Sequence, residues 1–281
     1  MSVESDVRSR ISGLTPAELR VAEAMLAQPQ SVAFGTVAEL ARLAETSGAT
    51  VVRLATKLNY DGFIGLQEAI QEELASQLGP AAERIRVPVP NDVIGQVLTR
   101  EMDNLEATFH NTDRKEFGQA VRWLGDPKRR IVLCPGDCVR GVAVTLADQL
   151  LSMRPDVHVL DGSQVQVGRE LAQINKGDVV VTMDFRRYDR WVLVASDVAK
   201  ERGARLVAVT DSRLGPLARA ADCIFVVSAG AVGPFDSQVA TLALGNALVA
   251  AVADKLRPGA SERLDRVESI WQRMGALADK S

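Results

Sequence analysis

The chain has 281 residues, 47% of them hydrophobic and 25% charged, with a formal net charge of −3 and a mean hydropathy of +0.03, which is length and apolar content enough for two domains with cores of their own. Three cysteines, Cys134, Cys138 and Cys223, make no disulfide framework, and two histidines, His110 and His158, exclude a histidine-rich metal site. No uninterrupted apolar run reaches membrane-spanning length and MSVESDVRSR lacks the apolar core of a signal peptide, so the sequence predicts a cytoplasmic, soluble protein with no cofactor.

In chain order, Leu14-Thr15-Pro16 opens a helix with Thr15 as N-cap, Pro16 at the first position and Leu19, Ala22 and Leu26 as its packed face. Thr36 to Leu58 reads as two short helices joined by a tight turn, the helix-turn-helix pattern, with Thr36 placed to cap the first helix and Ser47 the second. In the second helix Val51, Leu54 and Leu58 share one face, and Thr50, Arg53 and Lys57 share another at the same spacings. The first face packs; the second carries residue types that meet base edges and phosphates in a major groove. An amphipathic helix pair is also ordinary in soluble proteins, and residues 1–80 hold six Lys and Arg against ten Asp and Glu, so there is no overall basic footprint. The stretch from Ser47 to Tyr60 does contain Arg53 and Lys57 and no acid, which makes any DNA affinity depend on pairing two such units.

Asp61-Gly62-Phe63 reads as a turn and Ile64 to Leu78 as a helix with Leu66, Ile70 and Leu74 on one face, ended by Gly79-Pro80. Arg84 to Asp92, with Val-Pro-Val-Pro at its centre, predicts an extended linker. Asp92 to His110 is helical, with Leu98, Met102, Leu105 and Phe109 on a stripe that packs on the second domain or on a partner subunit. From Ile131 the texture changes to short β-branched runs, IVLC, VHVL, DVVVTM, RLVAVT and CIFVV, separated by helices at Arg140 to Ser152, Gln164 to Gln173, Arg190 to Arg202 and around Leu217 to Ala220. That alternation predicts a doubly wound α/β fold with a five-stranded parallel sheet, and the strand ends nominate a pocket at Cys134 to Cys138, Asp184 to Asp189 and Thr210 to Arg213. Ser237 to Leu256 reads as a long apolar helix stopped by Pro258-Gly259, and a tail helix follows with Leu264, Val267, Trp271, Met274 and Leu277 on one side. The expected division is an all-α helix-turn-helix domain at 1–79, a linker and connecting helix at 80–115, the α/β domain at 116–257 and a C-terminal helix at 258–281.

The run LARLAETSGATVVRLATKLNYDGF resembles the N-terminal helix-turn-helix of the RpiR family of bacterial regulators, whose Ser-x-x-Thr-Val-x-Arg pattern falls on Ser47, Thr50, Val51 and Arg53. The family's usual glycine in the turn is Glu45 here, and its usual glycine after the second helix is Asn59, a residue that tolerates left-handed backbone. KGDVVVTMDFRRYDR and KERGARLVAVTDSRLGPLARAADCIFVV resemble a sugar isomerase (SIS) domain, the sugar-phosphate-binding module that RpiR proteins carry behind the helix-turn-helix. Together the resemblances span most of Leu14 to about Ala253. They imply a transcriptional regulator, a homodimer or homotetramer without catalytic residues, that contacts double-stranded operator DNA through Thr36, Ser47, Thr50, Arg53 and Lys57. They also imply a small-molecule effector, such as a sugar phosphate or sugar acid, at Gly136, Asp137, Cys138, Asp184, Arg186, Arg187, Thr210 and Ser212.

The chain departs from the family at the first strand end, where Gly-x-Gly-x-Ser is Cys134-Pro135-Gly136-Asp137-Cys138: Pro135 removes an N–H and Asp137 adds a negative charge where an anion would sit. At the third strand end the usual Ser is Asp184. Arg186 and Arg187 either bind carboxylate or phosphate or pair with Asp137, Asp184 and Asp189. Two other readings stand beside an effector pocket: a vestigial site in a domain that only dimerises, and a sugar-phosphate isomerase, although no Glu/His pair lies at the nominated strand ends. The three cysteines read as core residues rather than metal ligands.

Overall fold

The structure, a computed structural model, describes residues 3–89, 91–213 and 215–276 and divides into two compact units, Met1–Pro88 and Val89–Ser281. The first is all-helical: α1 Val3–Arg10, α2 Pro16–Ala27, α3 Pro29–Phe34, α4 Val37–Leu43, α5 Gly48–Lys57, α6 Gly62–Leu78 and a single turn, α7 Ala81–Arg84. The starts of α2 and α4 are fixed by capping boxes, Thr15 with Glu18 and Thr36 with Glu39, each satisfying two backbone N–H groups reciprocally. The core gathers Val21, Ala22 and Met25 of α2, Leu40 of α4, Val51, Leu54 and Ala55 of α5, and Leu66 and Ile70 of α6. The packed face of α2 keeps Ala22 of the expected residues and not Leu26. Leu26 is 39% exposed, because Glu18 is drawn into the buried face by Lys57 and brings Ala22 and Met25, at helical spacing from it, inward. Leu74 and Leu277, assigned to packed stripes from the sequence, have side chains outside the described residues.

The second unit begins with α8 Val93–His110 and α9 Arg114–Leu124 and continues as β1 Ile131–Pro135, α10 Arg140–Met153, β2 Val157–Val159, α11 Gln164–Leu171, β3 Val179–Met183, α12 Arg190–Glu201, β4 Arg205–Thr210, β5 Cys223–Val226 and α13 Val239–Met274. All strand pairs are parallel, in the order β2-β1-β3-β4-β5, so the chain reverses its winding direction between β1 and β3. Alternate strand residues face opposite layers. Leu133, Val181, Val207 and Phe225 pack with α9, α10 and α13, while Val132, Cys134, Val180 and Leu206 pack with α11 and α12. Arg154, 1% exposed, ties the loops below the sheet by donating to the carbonyls of Leu124 (2.6 Å), Asp126 (2.8 Å), Pro155 (3.1 Å) and Arg129.

One helix departs from the sequence reading. α13 runs unbroken through Pro258-Gly259, so these residues do not stop it. Its Val239–Arg257 portion is long and apolar enough by composition to cross a membrane, but Ala240, Leu244, Leu248 and Val252 are buried within the domain. On α8 the first half of the apolar stripe faces outward, with Leu98 60% and Met102 61% exposed, and Leu105 and Phe109 are half-buried. The helix also docks through polar residues. Asn104 donates to Gly230 O (2.7 Å) and accepts from Ser228 Oγ (3.0 Å) and Gly230 N (3.1 Å), and Thr108 Oγ1 accepts from Ser228 N (2.9 Å).

Candidate functional site

The helix-turn-helix is held by local chemistry. Ser47 Oγ accepts from Thr50 N at the start of α5, and Glu45 in the preceding turn takes the left-handed conformation at φ 48° that a glycine would adopt without strain. Arg20 of α2 clamps that turn, donating to the carbonyls of Ala44 (3.2 Å) and Glu45 (3.4 Å). Asn59 closes α5 in the same backbone region, at φ 72°.

Of the expected trio on α5, Arg53 and Lys57 are exposed and Thr50 is not. Thr50 is buried at 4% exposure, its hydroxyl bonded to Ser47 Oγ (3.0 Å) and receiving Arg53 Nη2 (3.2 Å). Lys57 turns back on its own domain, donating to Gly13 O (2.6 Å) and Glu18 Oε2 (2.9 Å). Thr50 belongs to the cap and Lys57 to the packing of α2 on α5, because a buried carboxylate attracts the nearest ammonium. Arg53 does remain exposed, and it is accompanied by Ala49, Val52 and Thr56. Those three were not nominated from the sequence, because small or apolar residues at i, i+3 and i+7 read as a packing face. Thr36 and Ser47 stand at the two helix starts; the Thr36 hydroxyl is engaged by Glu39 (3.0 Å).

In the second unit the register of β1 on β3 pairs Cys134 with Thr182 and Pro135 with Met183, and Gly136 N donates to Met183 O (2.7 Å), so the next residues, Gly136 and Asp184, come together at the strand ends. A Cβ on Gly136 would lie 2.3 Å from the Asp184 carboxylate carbon; only glycine leaves the room. Asp184 is 1% exposed. Its Oδ1 accepts from Phe185 N (2.9 Å) and the Cys138 thiol (3.6 Å), and its Oδ2 from Asp189 N (2.7 Å). Burial raises its pKa to about 6, against the lowering effect of the two N–H donors, and burial followed by the neighbouring Asp184 charge pushes the Cys138 thiol up to about 12. Asp189, the residue before α12, does not cap its own helix; its Oδ2 accepts from Asp137 N (2.9 Å) across the site.

A cleft of about 220 Å³ opens beside this cluster, lined by Pro135, Asp137, Arg140, Leu160, Asp161, Gln164, Val167, Asp189 and Trp191 among others. The structure thus brings Gly136, Asp137, Cys138 and Asp184 together and leaves the other expected contacts apart. Arg186 pairs with Asp236 (2.8 Å), from a left-handed backbone at φ 57°. Arg187 is exposed outside the cleft lining. Thr210 is fully buried, its hydroxyl shared with Tyr188 (3.0 Å), and neither it nor Ser212 lines the cleft. Arg140, Asp161, Gln164 and Trp191 were not nominated from sequence; Arg140 pairs with Asp161, across the loop that follows β2. A short edge strand gave little signal that its trailing loop would form one wall.

Residues 1–77 match the family model described as "Helix-turn-helix domain, rpiR family", and residues 127–251 match that of the SIS domain. An uncharacterized HTH-type transcriptional regulator of Escherichia coli, YfhH, is 25% identical over 79% of this chain and 80% of its own. Among solved structures, the sugar isomerase domain of an RpiR transcription factor from Sphaerobacter thermophilus is 30% identical, with a TM-score of 0.60, covering 64% of this chain and 99% of that one. The Vibrio vulnificus NanR protein complexed with ManNAc-6P shares the fold at 21% identity and a TM-score of 0.59, covering 98% and 99%.

Proposed function

Because the chain belongs to the RpiR family of helix-turn-helix transcriptional regulators that carry a SIS domain, we propose that it reads operator DNA in the cytoplasm as a homodimer or homotetramer, in response to a small-molecule effector held at the strand ends of the second unit. The observation that carries the DNA reading is the exposed Arg53 on a capped α5, flanked by Ala49, Val52 and Thr56 with no acidic residue between Ser47 and Tyr60. A guanidinium in the first turns of such a helix reaches guanine edges or phosphates, and small neighbours let the helix approach the groove. One arginine per unit gives little affinity alone, so two units acting on an inverted repeat are required. For the effector, the complex of NanR with ManNAc-6P supports a sugar derivative, and the cleft beside Asp137, Asp189 and Trp191 is the place for it. Relatives named as regulators favour this reading over an isomerase.

The test is selection of sheared genomic DNA by the purified protein, with Arg53→Ala as control. Enrichment of an inverted repeat that the variant loses supports the reading, and equal enrichment by both proteins refutes the role of Arg53. The operons beside retained fragments then supply candidate effectors, to be checked by their effect on operator affinity.

A further inference from the structure

The strand ends of a doubly wound sheet, where the winding direction reverses, are where loop N–H groups converge on an anionic ligand. Here the chain's own carboxylates already accept from those groups: Phe185 N and Asp189 N donate to Asp184, and Asp137 N donates to Asp189. The Cys138 thiol also donates to Asp184, and Gly136 is the residue whose missing Cβ gives that carboxylate its space. Two of the cations that flank the loops are engaged in the same manner, Arg186 with Asp236 and Arg140 with Asp161.

We propose that Asp184 is an internal anion seated in the strand-end cradle, and that it is the specificity-determining residue that keeps phosphate out of it. The effector of this protein is then not anchored by a phosphate on the amides of Phe185 and Asp189, and a Ser or other small residue at position 184 would free them. An incoming phosphate would have to displace a buried carboxylate holding three donors, and would meet Asp137 and Asp189 beside it. Like charges brought together in one cleft repel. This inference rests on the effector reading for the location of the site, but its test contains no DNA, so the two fail separately.

The experiment titrates inorganic phosphate, and separately glucose 6-phosphate, into the full-length protein, following the amide resonances of Phe185 and Asp189 and the heat of binding. The wild type is expected to show no saturable shift at those amides. Asp184→Ser, checked for folding by its unfolding temperature, is expected to bind phosphate at least about 10- to 100-fold more tightly than wild type, the worth of a charge-assisted hydrogen bond at either of the two freed amides. Asp184→Asn, which keeps the bulk in the cradle, should gain less than Asp184→Ser. Saturable phosphate shifts at Phe185 and Asp189 in the wild type would overturn the proposal, and need no variant to fold. A folded Asp184→Ser that binds phosphate no better than wild type would overturn it equally.

Discussion

Replacing Glu18 with Gln should loosen the helix-turn-helix from the side opposite its exposed face. The Glu18 carboxylate accepts Thr15 N (2.8 Å) and Lys57 Nζ (2.9 Å), linking the start of α2 to the last turn of α5. The Thr15 N–H, followed by Lys57, holds its carboxyl down to about 2 from an ordinary 4.5. The whole of that difference corresponds to about 3 kcal/mol. Lys57 is 39% exposed, so solvent screening reduces the contribution to about 1–2 kcal/mol. A carboxyl whose folded pKa is depressed contributes stability that is fully present above its unfolded value and lost as pH falls through the folded one, here between pH 4.5 and about 2. The three tryptophans, Trp123, Trp191 and Trp271, lie in the second unit, so tryptophan fluorescence is blind to this change. Hydrogen exchange at the Leu54 and Ala55 amides of α5 reads it directly. Glu18→Gln should lower their protection at neutral pH by roughly 5- to 30-fold, and should remove this site's share of the acid loss in that window. Protection equal to wild type at neutral pH, or an acid loss that Glu18→Gln leaves unchanged, would refute the reasoning.

Glu45→Gly should raise protection of the same amides by the equivalent of about 1 kcal/mol, since glycine occupies φ 48° without strain; a decrease would mean that the Glu45 side chain matters more than its backbone. Arg154→Met should destabilise the second unit by about 3 kcal/mol or more in urea unfolding followed by tryptophan fluorescence, because the carbonyls of Leu124, Asp126 and Arg129 lose their donor; a cost under about 1 kcal/mol would contradict this. Asp184 binds its proton more tightly folded than unfolded, so its contribution makes the second unit lose stability as pH rises from about 4 to about 6 and stay level above. Asp184→Asn should flatten that slope, worth at most about 3 kcal/mol, and an unchanged profile in the variant would remove the assignment.

Local signals carried far in this chain because they act over one turn of helix or one strand. The caps at Thr15, Thr36 and Ser47, the alternating layers of the parallel sheet and the left-handed positions at Glu45 and Asn59 are all consequences of backbone groups that neighbouring residues satisfy or strain. The errors lay where a residue's partner is distant in sequence. Pro258 was read as a stop, yet α13 keeps packing beyond it, with Ala260 buried and Arg263 Nε donating to Leu151 O of α10 (3.0 Å).

At the candidate sites, residue types and spacing were enough to nominate Arg53 and the strand ends that carry Gly136 and Asp184, and the departure of the first strand end from a phosphate cradle was legible only against the pattern of the family it resembles. Periodicity could not say that Lys57, on the polar face of α5, is taken by Glu18, 39 residues earlier in the chain. It equally could not separate Arg186 from Arg187, since the choice is made by Asp236, 50 residues on. Composition and spacing determined the two domains' secondary structure and the residue types available at each site. Only the tertiary structure decided which charges meet, because a buried ionic group takes whichever partner the fold brings within reach.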